Sequence, residues 1–322
     1  MKKNILAVIV TMGAVAGSFM SCSQPPTECQ VGLAGNNSFA ARYILKGTPS
    51  AECKGLVQLG DIIGMEFYHP TSKDGATFDT SQTTLAVQAD YLGNANSARG
   101  PEPLGPNMKP LHNMWASGSF SAALPDKNGV CSVPTFSTFA QQDFPDVPAV
   151  DGGSGDAGMP STPEMPADTI KYEWKNMQVA VSSAVQGTEF TADLTYTETI
   201  APSTGAPVTC TFEYKAIGIW PAVPCTMVDA GGAPILDKGG NQQPDVTLCS
   251  PCQDLDAGRT IASGIGPEIP TSCEAIFTAT DPYASANNAE RGTQFYCVLK
   301  GATAATTLPV LGTAPTCGSV IE

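Results

Sequence analysis

Basic charge, histidine and helical periodicity are all scarce in this chain of 322 residues. Lys and Arg number 16 against 30 Asp and Glu, a formal balance of −14. A surface so poor in cations cannot neutralise a run of phosphates, which excludes a nucleic-acid partner. Charged residues make up 14% of the chain, too few for a coiled coil or a helical bundle laced with ion pairs. The two histidines, His69 before Pro70 and His112 in KPLHNMW, cannot make a three-histidine metal site, and both lie in or next to loops. H-E-x-x-H and G-x-S-x-G are absent. No apolar stripe of 3.6 periodicity runs for a full helix, and only ASANNAER (Ala284 to Arg291) has the length for two turns.

What the chain has instead is 32 Gly, 27 Pro, 11 Cys and strict alternation. Its 42% hydrophobic residues are too many for wholesale disorder. Phe39 to Lys46 sets Phe39, Ala41, Tyr43 and Leu45 on one face, and TTLAVQADYL does the same with Leu85, Val87, Ala89 and Tyr91. Phe190, Ala192, Leu194 and Tyr196 alternate with threonines and Asp193. Val208, Cys210, Phe212 and Tyr214 follow after a loop with two Pro and a Gly, which predicts an antiparallel hairpin. Further strands are expected over Asp61 to His69, Ser119 to Leu124, Glu274 to Thr278 and Gln294 to Lys300. In TIKYEWKNMQVAVSS the apolar parity switches from even (Ile170, Tyr172, Trp174) to odd (Met177, Val179, Val181), so a β-bulge or tight bend is predicted at Asn176. The fold class is all-β: a disulfide-rich antiparallel sandwich or barrel-like domain.

The first residues address the chain to a compartment. Met1-Lys2-Lys3-Asn4 is a basic start, and Ile5 to Met20 is an apolar stretch too short and too Gly/Ala-rich for a permanent span. Two processing sites compete: Ala14-Val15-Ala16, an A-x-A site, and Phe19-Met20-Ser21-Cys22. The second resembles the lipobox of bacterial lipoproteins, with Ser before Cys22 in keeping and Phe19 and Met20 departing from the usual residues. Over residues 1–30 the chain resembles the cell-envelope lipoproteins of Gram-negative bacteria, particularly the myxobacterial sort. That resemblance implies a signal peptide at 1–21, acylation of Cys22 and a polar tether at 22–30. Ser23 after the cysteine implies the outer membrane, with secretion the alternative. Cleavage before Cys22 removes Lys2 and Lys3 and no acid, leaving 14 basic residues against 30 acidic ones.

Cysteine arithmetic fits this reading. Setting Cys22 aside for lipid leaves an even set of ten, suited to an oxidising compartment: Cys29, Cys53, Cys131, Cys210, Cys225, Cys249, Cys252, Cys273, Cys297 and Cys317. Sequence proximity points to Cys29–Cys53, Cys210–Cys225 and Cys297–Cys317. The stretch 141–168 carries five Pro, six acids and no base, and is expected to be a flexible excursion. Three cysteines precede it and seven follow, so complete pairing needs at least one bridge between the two sides. That favours one domain, 31–322, interrupted by the excursion.

No residue is assigned as catalytic, cofactor-binding or metal-ligating. Cys249-Ser250-Pro251-Cys252 is a C-x-x-C, but only Cys225 and Cys273 stand near it as further zinc ligands and no helix follows, so structural disulfides are expected. Gly153 to Gly158 spells G-x-G-x-x-G among acids that would repel a pyrophosphate. Acidic loops with Asp151 and Asp156, or with Asp229, Asp237, Asn241, Asp245, Asp254 and Asp256, lack D-x-D-x-D spacing and read as solvated. Trp174 is expected in the core; Trp115 and Trp220 lie near turns. The expected role is non-enzymatic: structural, adhesive or docking to an envelope protein or glycan, with the membrane reached through lipid. A carbohydrate- or calcium-binding module is the alternative. A hydrolase built from distant residues, with His69 or His112, is the remaining one.

Overall fold

The computed structural model describes residues 28–31, 38–73, 75, 77–79, 82–99, 102–106, 110–148, 165–181, 187–202, 204–238, 242–252, 263–277 and 293–310. Residues 1–21, expected to be a signal peptide, Cys22, the Ala284 to Arg291 segment, Gly153 to Gly158 and Cys317 lie outside the described residues.

Alternation becomes barrel wall wherever it was strongest. In β7 (Ala167–Ala180), β8 (Glu189–Ala201) and β9 (Val208–Ile219), the inward set Ile170, Tyr172, Trp174, Phe190, Ala192, Leu194, Tyr196, Phe212 and Tyr214 is buried. The outward set carries a threonine ladder, Thr197 on Thr211 at 3.2 Å and Thr199 on Thr209 at 3.0 Å between Oγ1 atoms. With β1 (Ser38–Leu45), β2 (Gly60–Tyr68), β3 (Thr84–Ala89), β4 (Ala116–Ser119), β5 (Val130–Thr135) and β6 (Ala140–Phe144), these make one antiparallel sheet in the order β4-β3-β2-β1-β9-β8-β7-β5. Long β7 carries β6 beside its first half and β5 beside its second. Hydrogen bonds from Ser121 N to Ser132 O (2.8 Å) and from Ser137 N to Ser117 O (2.7 Å) zip the two edges together, so the sheet curls into a nearly closed barrel. Gly118 sits in that seam, where a Cβ would stand 2.7 Å from the Thr135 carbonyl. Of the two expected architectures, the barrel is the one found.

The parity switch in β7 has the predicted form. The β7–β8 register shifts between Lys175 and Gln178, and Asn176 takes φ +49°, a conformation Asn tolerates better than most residues. Asp193 Oδ2 accepts from the Asn176 amide at 2.8 Å and pins the bulge.

Three expectations need correction. The alternation through Tyr91 does not continue as strand: at Asp90 the chain enters helix α1 (Asp90–Arg99), which buries Tyr91, Leu92 and Ala95 on one face. From Asp90 the buried residues follow helical spacing, and an acid in the first turn with the Tyr91 N–H on a buried carboxylate favours helix. The strand expected over Ser119 to Leu124 lies earlier, over Ala116–Ser119, because beyond Phe120 the chain leaves the ladder for the seam. Both β5 and β6 lacked a clear signal, since Pro134 and the polar run Gln141-Gln142-Asp143 obscure them. Thus both ends of the 141–168 stretch are strand; residues 149–164 lie outside the described residues.

Beyond β9 a second unit packs on the barrel's outside. Its antiparallel pair β10 (Thr271–Phe277) and β11 (Gln294–Leu299) covers the outer face of β1, β2 and β9. Ile217 and Ile219 are buried there against Cys225, Cys249, Ile265 and Leu299, and Ala40 against Ile276 and Val298. This is why the end of β9 is apolar on both faces.

Disulfides join Cys29 to Cys131, Cys53 to Cys210, Cys225 to Cys273 and Cys249 to Cys297. Cys252 is also disulfide-bonded. Cys29–Cys53 and Cys210–Cys225 are therefore not formed, and Cys297 pairs with Cys249 rather than Cys317. An antiparallel barrel sets residues 102 and 157 positions apart side by side, so closeness along the chain is a poor guide. Cys53–Cys210 spans the Pro/Gly stretch, and strands from both sides of it share one sheet.

Candidate functional site

The barrel interior is packed with two kinds of side chain. One part is wholly apolar, with Phe39, Ile63, Met65, Leu85, Val179 and Phe190 fully buried. The other gathers Tyr43, Tyr91, Tyr172, Tyr196 and Tyr214 around Asp61, Gln58 and Glu198, all buried. Tyr172 OH donates to Asp61 Oδ2 at 3.3 Å, and Asp61 Oδ1 accepts the N–H of Ile62 (2.7 Å) and of Tyr91 (3.1 Å). Tyr196 OH donates to Glu198 Oε2 at 2.5 Å. Burial pushes the Asp61 carboxyl well above the usual range, and the charge of Asp90 adds to this; the two N–H groups and the Tyr172 hydroxyl oppose it. Burial likewise raises Tyr43, Tyr172 and Tyr196. Tyr172 and Tyr196 pack edge to face with centroids 5.0 Å apart. This cluster fills and orders the interior as a polar layer, in which the Tyr43 hydroxyl is buried with no hydrogen-bond partner among the described residues.

A second cluster stands on the outer side, where α1 gives way to a loop beside β6. Glu102 follows the helix, His112 precedes β4 and Asp143 lies on β6. The Glu102 side chain is only 3% exposed and accepts three bonds: His112 N to Oε2 (3.1 Å), His112 Nδ1 to Oε1 (2.6 Å) and Asp143 N to Oε1 (3.2 Å). His112 Nδ1 also lies 3.7 Å from Asp143 Oδ2. Behind the ring, the Gln141 amide nitrogen stands 3.2 Å from His112 Nε2 and 3.1 Å from Asp143 Oδ1. A cleft of about 330 Å³ opens beside the cluster, walled by Glu102, Asp143, Leu111, Phe144 and Pro145. Among the described residues, no Ser, Thr or Cys side chain is hydrogen-bonded to His112, so they assemble no nucleophile-base pair at this ring.

The other residues singled out by sequence are dispersed. His69 is an exposed ring whose Nδ1 meets Gln82 O at 3.0 Å. Cys225, Cys249 and Cys273 come close together, but each is spent in a disulfide, so they offer no thiolates. Cys249 and Cys252 bond elsewhere rather than as a redox pair. The carboxylates of Asp229 and Asp245 cap their own turns, Asp229 Oδ1 taking Gly231 N and Ala233 N, and Asp245 Oδ1 taking Thr247 N. Asp151, Asp156, Asn241, Asp254 and Asp256 lie outside the described residues. Trp174 is core, Trp220 is half-buried, and Trp115 is 50% exposed.

A family model follows the same boundary as the fold. A family model described as MlpA matches residues 37–221, from one residue before β1 to just past β9. It covers the barrel and stops where the outer unit begins. A Myxococcus xanthus protein described as "Putative lipoprotein MlpA" is 25% identical over 266 residues, 81% of this chain and 94% of that protein. No solved structure matches. With more than half of its length, and the whole barrel, under that model, the chain belongs to the MlpA family.

Proposed function

We propose that the protein is an outer-membrane or cell-surface lipoprotein, held by acyl chains on Cys22, with a non-enzymatic structural, adhesive or partner-docking role. The observation that carries this reading is the polarity of the barrel wall. Thr195, Thr197, Thr199, Thr209, Thr211, Glu213 and Lys215 face outward on β8 and β9 while aromatic rings fill the inside. That is the inverse of a barrel that meets lipid with its outer face. Such a body stands in water, and attachment then falls to lipid on the tether. One acyl chain binds marginally and two or more hold, at about 0.8 kcal/mol per buried CH₂. The acidic balance keeps the body off an anionic surface, leaving strand faces and loops free for an envelope protein or glycan. Family membership and the lipoprotein relative support the same reading. Detergent-phase partitioning tests it: the mature protein is expected in the detergent phase and the Cys22→Ser variant in the aqueous phase. Equal partitioning of the two would refute the anchor.

A further inference from the structure

We propose that Glu102, His112 and Asp143 form a binding site for a divalent transition ion of the zinc class, with its open position facing the adjoining cleft. The three residues come from three separate segments, yet one ligand atom of each lies within 4.8 Å of the others. Zinc bonds of about 2.0–2.2 Å at tetrahedral angles put donor atoms roughly 3.3 Å apart. His112 Nδ1 now stands 2.6 Å from Glu102 Oε1 and 3.7 Å from Asp143 Oδ2, values that bracket that spacing.

Charge argues in the same direction. Two carboxylates converge on one imidazole, and among the described residues neither is paired with a Lys or Arg. Glu102 is withdrawn from water, where an uncompensated charge is costly. A divalent ion balances both carboxylates with the ring neutral. Imidazole with carboxylates selects Zn²⁺ and its neighbours over Ca²⁺, whose sites are built from oxygen alone.

The surrounding groups fit a ligand shell. His112 N and Asp143 N hold the Glu102 carboxylate in place. Gln141 backs the ring at Nε2, and its amide can turn either its NH₂ or its C=O to that nitrogen, so it serves a metal-bound ring as well as a free one. With three protein ligands, the fourth position opens to the cleft, as in zinc sites that keep a water or bind an outside ligand.

Titrating the mature full-length protein in detergent with Zn²⁺ alone, followed calorimetrically, tests the site. One ion per chain is expected to bind, with at least a tenfold loss of affinity in His112→Ala, Glu102→Gln and Asp143→Asn, and none in His69→Ala. Asp143 is the safest variant because its side chain is 43% exposed and carries no core packing. Substituted Co²⁺ should give the intense visible absorption of a tetrahedral site, lost in Asp143→Asn. Failure to bind one equivalent, or affinity unchanged from the parent protein in both His112→Ala and Asp143→Asn, would overturn the proposal. So would Ca²⁺ binding as tightly and independently of His112.

Discussion

The barrel and the unit on its flank are held together by different means. In the barrel, β7, β8 and β9 share two ladders of twelve residue pairs each and close over a continuous aromatic core. Among its described residues the outer unit has one antiparallel strand pair and a string of single bridges, Thr226 with Pro244, Val228 with Pro234 and Leu236 with Gln242. Two disulfides, each closing 48 residues, tie its loops to that hairpin. Periodic apolar sequence makes hydrogen-bonded wall, to which Cys29–Cys131 and Cys53–Cys210 are added; where the period fails, the crosslinks carry more of the ordering. The family model ends at the same junction, whereas the similarity to the Myxococcus xanthus protein, over 81% of this chain, runs on into the flank.

Emptying the barrel core should have the largest effect. The Phe190 ring packs over Gly218, where a Cβ would stand 2.2 Å from it, and meets Phe39 with centroids 5.5 Å apart. Phe190→Ala should cost roughly 3–5 kcal/mol in denaturant titration. Because the flank rests on β1 and β9, its signals should be lost together with the barrel's. Retention of the flank after barrel unfolding would break the comparison.

Cutting a flank crosslink should do the opposite. Cys249→Ala with Cys297→Ala should destabilise by about 4 kcal/mol at most, the chain-entropy value for a loop of this length. Amide exchange should rise over 222–310 and stay slow in β7–β9. Fast exchange in both would show that the barrel depends on the flank.

Glu189 stands at the junction, buried beneath the flank with Oε2 accepting Val310 N at 3.2 Å. Burial raises its pKa to about 7, the Val310 N–H opposing and Glu268 adding to the rise. The folded carboxyl keeps a proton that the unfolded chain has already released, so stability is full below about pH 4.5 and falls as pH rises to about 7. The loss is on the order of 3 kcal/mol at most. Glu189→Gln should flatten that slope in melting curves recorded from pH 4 to 8; an unchanged slope would assign the dependence elsewhere.

The smallest effect is expected at the bulge. Asn176→Ala places a Cβ residue without the Asp193 bond at φ +49°, and should cost about 1 kcal/mol without altering the β7–β8 register.

The same division decided what could be read in advance. Strands β7 to β9 and the turn at Asn176 were legible because a parity switch in a half-buried strand has one structural outcome. Helix α1 was not, because Tyr91 and Leu92 satisfy a strand and a helix equally until Asp61 is known to receive the Tyr91 N–H. Disulfide pairing was hidden because it depends on which strands adjoin, not on which cysteines are close in sequence. His112 was visible as a candidate, but Glu102 and Asp143 were not: their meeting requires β6 to pair with β7 and the preceding loop to fold over it.

Mass spectrometry of the mature N-terminal peptide is the most direct test of an aqueous barrel carried on lipid. An acylated Cys22 as first residue is the predicted result. An unmodified start at Gly17, after Ala14-Val15-Ala16, or a chain still beginning at Met1, would contradict it.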